Sequence, residues 1–500
     1  MRLIMFGDRV VAGLLIGLTA FGVVALGALQ FGVDVPALAL PLMIATCLAA
    51  TFGLQKRGAF AVPQGPDAPI AAAPRNDRGG WGPRVVAVSL GVVSITAVAM
   101  VAYGSLATPS RHWDGAVAWD LKAHYLADAP TLDQPFFRDP HVLVHSRGYP
   151  LLQPLVMAAG DRLLGAGGGR VIFPVLYAGL ALLIGVGLRR AGVAGPVAWL
   201  SAVGCVLAPR LANPTSGGAD SGYADLFLLV ATTAVAVGLL VKDARFLATG
   251  AALAVMVKPE GMVYAGLAVA IAWCAGERRS TKWVTLGWLA GAVAWLPVQG
   301  QLQRLDGTGA LGLRLLPLVV GAAILGADHV ARSLRFDVRA RVMTIALFVA
   351  ALTVALTWLD GAANSGLLGT LSEYLEDPGR ALRRLQRVPS ILVGAVGYAM
   401  PPGSFALAFA APLVAGAALL LQRRRLAAGV VAAFVAGGIT AVLGAFVLSP
   451  EEDLDHHLRS SMSRLLLHWV GPAMLLAGAW SDALWRPVGD RPSAQGERAP

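Results

Sequence analysis

Apolar runs of about 17–25 residues recur along almost the whole chain, and that is the length needed to cross the hydrocarbon core of a bilayer. Hydrophobic residues make up 56% of the sequence and charged residues 14%, against roughly 25% charged in a typical soluble domain. The runs are continuous and do not alternate, so a transmembrane β-barrel is excluded. The sequence predicts an all-α, polytopic membrane protein.

The net charge of +11 points to membrane orientation, not to nucleic acid, because the cations sit in short clusters between apolar runs. Cys47, Cys205 and Cys274 all lie inside apolar runs with no ligand-like spacing. Neither a disulfide framework nor a CxxC-type zinc site is expected.

Cation placement also sets the topology. Arg2 and Arg9 precede an apolar run at about 10–30, and a second follows at about 35–54. Residues 55–83 hold Lys56, Arg57, Arg75, Arg78 and five prolines, the composition of a disordered cytoplasmic linker. A third span, 84–106, delivers the chain to the other side. The segment 149–165 decides the rest. As a helix lying in the outer interface it puts Arg189-Arg190, Arg278-Arg279, Arg332 to Arg341 and Arg423-Arg424-Arg425 all in the cytoplasm, as the positive-inside rule asks. Further spans are expected at 170–188, 194–209, 222–241, 245–258, 261–276, 283–299, 312–330, 342–359, 403–421, 427–448 and 464–484. The total is about fourteen, with the short 245–258 run a candidate re-entrant segment. The organisation expected is two extra N-terminal helices (1–54), the linker (55–83), a core (84–280) with an external loop (107–169), C-terminal helices (281–485) and a cytoplasmic tail (486–500).

Residues 111–154 are unusually polar for such a chain. They include Arg111-His112-Trp113-Asp114, Trp119-Asp120-Leu121-Lys122-Ala123-His124 and Tyr149-Pro150-Leu151-Leu152-Gln153-Pro154. Binding and catalytic groups concentrate on loops held by a rigid scaffold. The same topology places Asp114, Asp120, Lys122, Asn213, Asp220, Asp225, Lys258, Glu260, Arg459 and Arg464 on or near the external side. Two of only five lysines are among them. Charges within membrane segments cost about 2.5–3.5 kcal/mol on insertion scales and are normally paired or functional.

Plainer roles stand beside these. Asp114 suits an N-cap for the helix that follows. Asp120 reads as the solvated face of an interfacial helix. Lys258 and Glu260 fit either a structural ion pair or a ligand role. His456-His457 reads as a solvated loop, and Gly165 to Gly169 as a flexible hinge or turn.

The order of these motifs resembles the multispanning glycosyltransferases of the GT-C fold, in particular bacterial relatives of protein O-mannosyltransferases and aminoarabinose transferases. The resemblance rests on Trp113-Asp114, on Trp119-x-x-Lys122-Ala123 and on Tyr149-Pro150-Leu-Leu-x-Pro154. It is extended by Asp220-x-x-x-x-Asp225-Leu226 and Lys258-Pro259-Glu260-Gly261, and it covers about residues 84–280. Residues 10–54 are extra to the usual core, and Gly115 stands where the family often carries a second acidic residue.

The resemblance implies inverting transfer of a sugar from a polyprenyl-phosphate-linked donor to a glycan, lipid or protein acceptor. It places this at the external face of the inner or plasma membrane, with no cofactor. Asp114 is then the general base. Lys122, Tyr149, Asp220, Asp225, Lys258, Glu260, Arg459 and Arg464 are candidate substrate-binding residues, with Lys258 favoured for the phosphate. The partners are the lipid donor, the acceptor and membrane lipids, with no nucleic acid. The rivals are a transporter or flippase of a lipid-linked or anionic substrate, and a polysaccharide polymerase or ligase. The last would use the late loop 360–402 with Glu373, Glu376, Arg380, Arg383, Arg384 and Arg387.

Overall fold

The computed structural model describes residues 2–31, 33, 81–108, 114–139, 149–212, 218–305, 378–399, 405, 407–422, 428–448 and 453–485. The second N-terminal span, almost all of the linker, Trp113, Asn213, spans 312–330 and 342–359, Glu373, Glu376 and the tail fall outside them. The described residues are helical, without strands. In chain order the main helices are α1 (Arg2–Gln30), α2 (Trp81–Ala107), α3 (Leu121–Asp128), α4 (Leu152–Leu164), α5 (Ile172–Arg190) and α6 (Gly195–Val206). There follow α7 (Asp225–Val241), α8 (Ala244–Val257), α9 (Pro259–Cys274), α10 (Arg278–Leu305), α11 (Val388–Ala399), α12 (Leu407–Leu421), α13 (Gly429–Leu448) and α14 (Val470–Trp485).

Among the described residues, four helical segments are long and apolar enough to cross a membrane: Phe6–Gln30, Val88–Ala107, Gly168–Arg190 and Gly429–Val447. Six shorter apolar helices accompany them, including α7, α8 and α9. The centre of the bundle is α7, buried at every position from Asp225 to Leu239. A helix that is apolar all round belongs inside a bundle. Around it pack α5, α8 and α14, and α10 closes over α8 and α9.

Local chemistry explains the reversals. Lys242 adopts the left-handed conformation (φ 53°) and ends α7. Asp243 then caps α8, its carboxylate accepting from the Arg245 N–H at 2.9 Å, which satisfies one of the orphan donors of a helix start. At the other end of α8, Pro259 forces the preceding residue into extended backbone. Lys258 accordingly has φ −148° and ψ 152°, and α9 starts with Pro259 in its first turn.

The two ends of the bundle are marked by different contacts. At one end Arg190 Nη1 lies 2.9 Å from Asp8 Oδ1 and 2.8 Å from Asp243 Oδ2. Arg245 Nη2 lies 2.6 Å from Asp243 Oδ2. At the other end Arg170 donates to the Thr108 carbonyl at 2.9 Å and pairs with Asp120. Helix α8 runs from the first end back to Asp225 at the second, antiparallel to α7.

The leading helix α1 packs on α5, α8 and α10 and buries Val11, Leu15, Leu18 and Phe21. Two expectations change. Asp120 is not a solvated face, because Arg170 pairs with it in a half-buried site. The 149–165 segment does form a helix, α4, of thirteen residues. At about 20 Å it is too short to span, yet Leu152 through Gly160 are all buried, so it is no surface amphipath. Gln153 shows why: its Nε2 donates to the Gly222 carbonyl at 2.6 Å inside the bundle. The glycine stretch that follows is a turn, open at Gly165 and Gly167 and packed at Gly168 and Gly169. Gly169 donates to Asp161 Oδ1 at 2.8 Å, and a methyl group there would overlap the Met157 backbone.

Candidate functional site

Residues from four separate parts of the chain meet at the N-terminal end of α7. Asp225 opens that helix and is fully buried. Its Oδ1 accepts from Lys258 Nζ at 2.8 Å and lies 2.8 Å from His468 Nε2. Its Oδ2 accepts from Arg464 Nε at 3.2 Å. Arg464 then reaches outward, and its Nη1 donates to Asp114 Oδ2 at 2.6 Å. Beneath that guanidinium lies the Tyr223 ring, 4.3 Å from centroid to Cζ, a cation–π contact.

The local sequence puts each group there. Lys258 leaves the helical path because of Pro259. The reversal is tight enough that a side chain on Gly261 would collide with the Ala254 carbonyl. Gln153, held in the Tyr149–Pro154 motif, grips Gly222 just before Tyr223 and Asp225. Both Asp114 and Arg464 sit at π-helical turns: Asp114 begins the turn Asp114–Asp120, and Arg464 follows the turn Leu458–Met462. Single π turns are rare and collect at functional sites.

The site is graded from closed to open. While Asp225 has no exposed surface, the Asp114 side chain is 34% exposed, so the second carboxylate is accessible where the first is not. Glu260 lies between: its Oε1 is 3.7 Å from Lys258 Nζ, and its Oε2 is buried without a hydrogen-bond partner among the described residues. Two carboxylates face the Lys258 ammonium, Asp225 at 2.8 Å and Glu260 at 3.7 Å. Lys258 is thus a fixed cation. Its nearer partner is Asp225, not the Glu260 two residues along the chain.

Tyr149 belongs to the same environment. Burial, followed by the charge of Glu260, raises its phenol above the usual value, with Lys258 and Arg464 pulling the other way. Trp119 packs against it, ring centroids 5.7 Å apart, and Lys122 Nζ lies 5.6 Å from the Trp119 centroid. Lys122 is fully buried and one layer behind the carboxylates.

Of the residues singled out in the sequence, Asp114, Asp225, Lys258, Glu260 and Arg464 are brought together by direct contacts, with Tyr149 beside them. Two are not. Asp220 packs against Gly104 of α2, where an added methyl would overlap its carboxylate. Arg459 is exposed on the π-helical turn. The five-residue spacing of Asp220 and Asp225 sends their side chains to different neighbours, because Asp220 precedes the helix that Asp225 begins.

Three residues were not foreseen, among them Tyr223 under the Arg464 guanidinium. His468 is fully buried at the centre of the cluster. Its spacing from Arg464, four residues on, was the available signal, since such pairs share a helix face. Arg210 lies close enough to Asp225, Arg464 and Tyr223 to interact electrostatically with all three. No spacing rule could link it to residues so distant in sequence.

Comparison with protein-family models, with curated proteins and with solved structures gives no match.

Proposed function

We propose that this chain is a GT-C-like membrane glycosyltransferase with about fourteen spans. It moves a sugar from a polyprenyl-phosphate donor to an acceptor hydroxyl at the external face of the inner or plasma membrane. The observation that carries the reading is the meeting of Asp114, Arg464, Asp225 and Lys258 through contacts of 2.6, 3.2 and 2.8 Å. An exposed carboxylate beside two fixed cations is what this transfer requires.

In the proposed reaction the acceptor oxygen attacks the anomeric carbon from the face opposite the leaving group, and the configuration inverts. The bond from anomeric carbon to phosphate oxygen breaks, and its electron pair leaves with the phosphate. Lys258 and Arg464 stabilise that developing charge, and Asp114 takes the hydroxyl proton. Donor phosphate has a second role: by engaging Arg464 it competes for the guanidinium that donates to Asp114 Oδ2 at 2.6 Å and frees that oxygen for the acceptor hydroxyl. Asp225, saturated by three partners and closed to solvent, orients the cations and does not act as the base.

The same arrangement weighs against a transporter, which needs charges near the middle of membrane helices. Here Asp225 begins α7, Lys258 stands between α8 and α9, and Arg464 precedes α14. The polymerase or ligase reading depends on the 360–402 loop. Of that loop, Pro378–Leu385 and Val388–Ala399 are helices, and no charged residue among its described positions is a hydrogen-bond or ion-pair partner of Asp225.

Asp114→Asn tests the proposal, since it keeps shape and polarity and removes basicity. Sugar transfer by the purified protein in lipid nanodiscs should fall by about 10²-fold or more, with an unchanged melting temperature. Near-normal transfer by the variant would return Asp114 to a structural role.

A further inference from the structure

His468 carries a role beyond the groups already assigned. Its imidazole is fully buried and lies between Asp225 Oδ1, 2.8 Å from Nε2, and the Tyr264 hydroxyl, 3.5 Å from Nδ1. The backbone around it is pinned: the His468 carbonyl accepts from Thr232 Oγ1 of α7 at 2.6 Å. The next residue, Trp469, is held edge-on by Tyr264 and Phe434 at centroid distances of 4.8 and 4.9 Å. The ring therefore has one place to stand.

Its protonation follows from its neighbours. An ionised carboxylate only accepts hydrogen bonds, so Nε2 must carry the proton. Lys258 and Arg464 already set two positive charges against Asp225, and Lys258 shares the very oxygen that Nε2 meets. A third positive charge there is opposed by both. Nδ1 is left bare, facing a hydroxyl able to donate to it.

Arg464 and His468 stand four residues apart, on the same face of the same turn, and grip different oxygens of Asp225. This two-point attachment fixes the rotation of the turn that carries Arg464. It also shares Oδ1 with Lys258, each at 2.8 Å, so the imidazole sets the side from which the ammonium approaches. We infer that His468 is a positioning residue, a neutral imidazole donating from Nε2 to Asp225 and thereby holding Lys258 and Arg464 aimed at the donor phosphate. The inference rests on the proposed lipid-phosphate site.

The test combines a spectroscopic and a binding measurement on the full chain in detergent micelles. With 15N-labelled histidine, the His468 signals, assigned by their absence in His468→Gln, should show Nε2 protonated and Nδ1 unprotonated. A proton on Nδ1, alone or together with Nε2, overturns the assignment. Farnesyl phosphate, which has the lipid phosphate but no sugar, is the binding probe. His468→Leu should weaken its binding by about tenfold to a hundredfold, the cost of an ångström-scale misplacement. His468→Gln, whose side-chain amide can still donate to Asp225, should recover most of that loss, with equal melting temperatures for the two variants. Unchanged binding by His468→Leu, or loss in both variants alongside a common fall in melting temperature, makes His468 merely structural. If the wild type binds farnesyl phosphate but transfers no sugar from any lipid-phosphate donor, the transferase reading fails and the role of His468 stands. A wild type that does not bind the probe overturns both.

Discussion

Asp225 and Asp243 lie at opposite ends of α7, about 25 Å apart by helix rise, and each gathers two cations. Around Asp243 the arrangement closes on itself. Two carboxylates, Asp8 and Asp243, share two arginines, Arg190 and Arg245, with contacts of 2.6 to 3.4 Å. Around Asp225 it opens outward, from a buried carboxylate through Lys258 and Arg464 to Asp114 and Glu260, each of which retains exposed surface. The first cluster consumes its charges in tying α1, α5 and α8 together. The second leaves the Asp114 and Glu260 carboxylates accessible, with the Lys258 and Arg464 cations set just behind them. Similar residues thus distinguish a strut from a site by whether the charges are used up.

The sharpest way to break this comparison is to remove each central carboxylate. Asp225→Ala leaves Lys258 and Arg464 short of their buried counter-charge and should destabilise the fold by about 3–5 kcal/mol. Asp243→Ala, in a wetter cluster with Asp8 still in place, should cost about 1–3 kcal/mol. Denaturation in mixed micelles measures both, and equal losses would erase the distinction.

The next effect is read on transfer per folded molecule. Lys258→Met should slow sugar transfer by about 10²–10³-fold, the cost of one donor to developing charge. The closed cluster has no such lever, so Arg245→Met should alter melting without changing the rate per folded molecule. A rate loss in the second variant matching the first would show that both clusters act only through folding.

A smaller effect is set by pH. Burial alone would raise the Asp243 carboxyl, but Arg245 and Arg190 hold it at about 2, below its ordinary 3.8. A lowered pKa stabilises the fold above the unfolded value and loses that contribution as pH falls through the folded one. The melting-temperature gap between wild type and Asp243→Asn should accordingly be constant above about pH 4 and close towards pH 2. A gap that persists at pH 2 would place the stabilisation in packing. The smallest effect is expected at Arg459, exposed beside the site: Arg459→Ala should leave transfer and melting unchanged, and a clear fall in donor binding would draw Arg459 into the site after all.

Much of the scaffold was legible in the chain because it depends on local chemistry. The expected spans 170–188, 222–241 and 261–276 correspond to α5, α7 and α9 within a few residues. Apolar run length and cation clusters act over one helix at a time, and neither needs a partner to be recognised. The extended backbone of Lys258 is likewise written in the Pro259 that follows it. Where local rules mislead, the cause is a distant neighbour. The 149–165 segment has the sequence of a surface helix, but Gln153 finds the Gly222 carbonyl and the helix is buried. Asp120 reads as solvated until Arg170, fifty residues on, pairs with it.

Residue types at the candidate site were determined by the sequence alone: a carboxylate in the first polar loop, a lysine before a proline, an arginine ahead of the last helix. Their division of labour was decided only by tertiary structure. Packing of α7 against α8 and α14 joins Lys258, Arg464 and His468 to one carboxylate, excludes Asp220 and Arg459, and makes Asp225 the hub and Asp114 the accessible end. No single-chain periodicity encodes this. A charge takes its function from the groups that share it, and here those groups lie 33 to 350 residues apart along the chain.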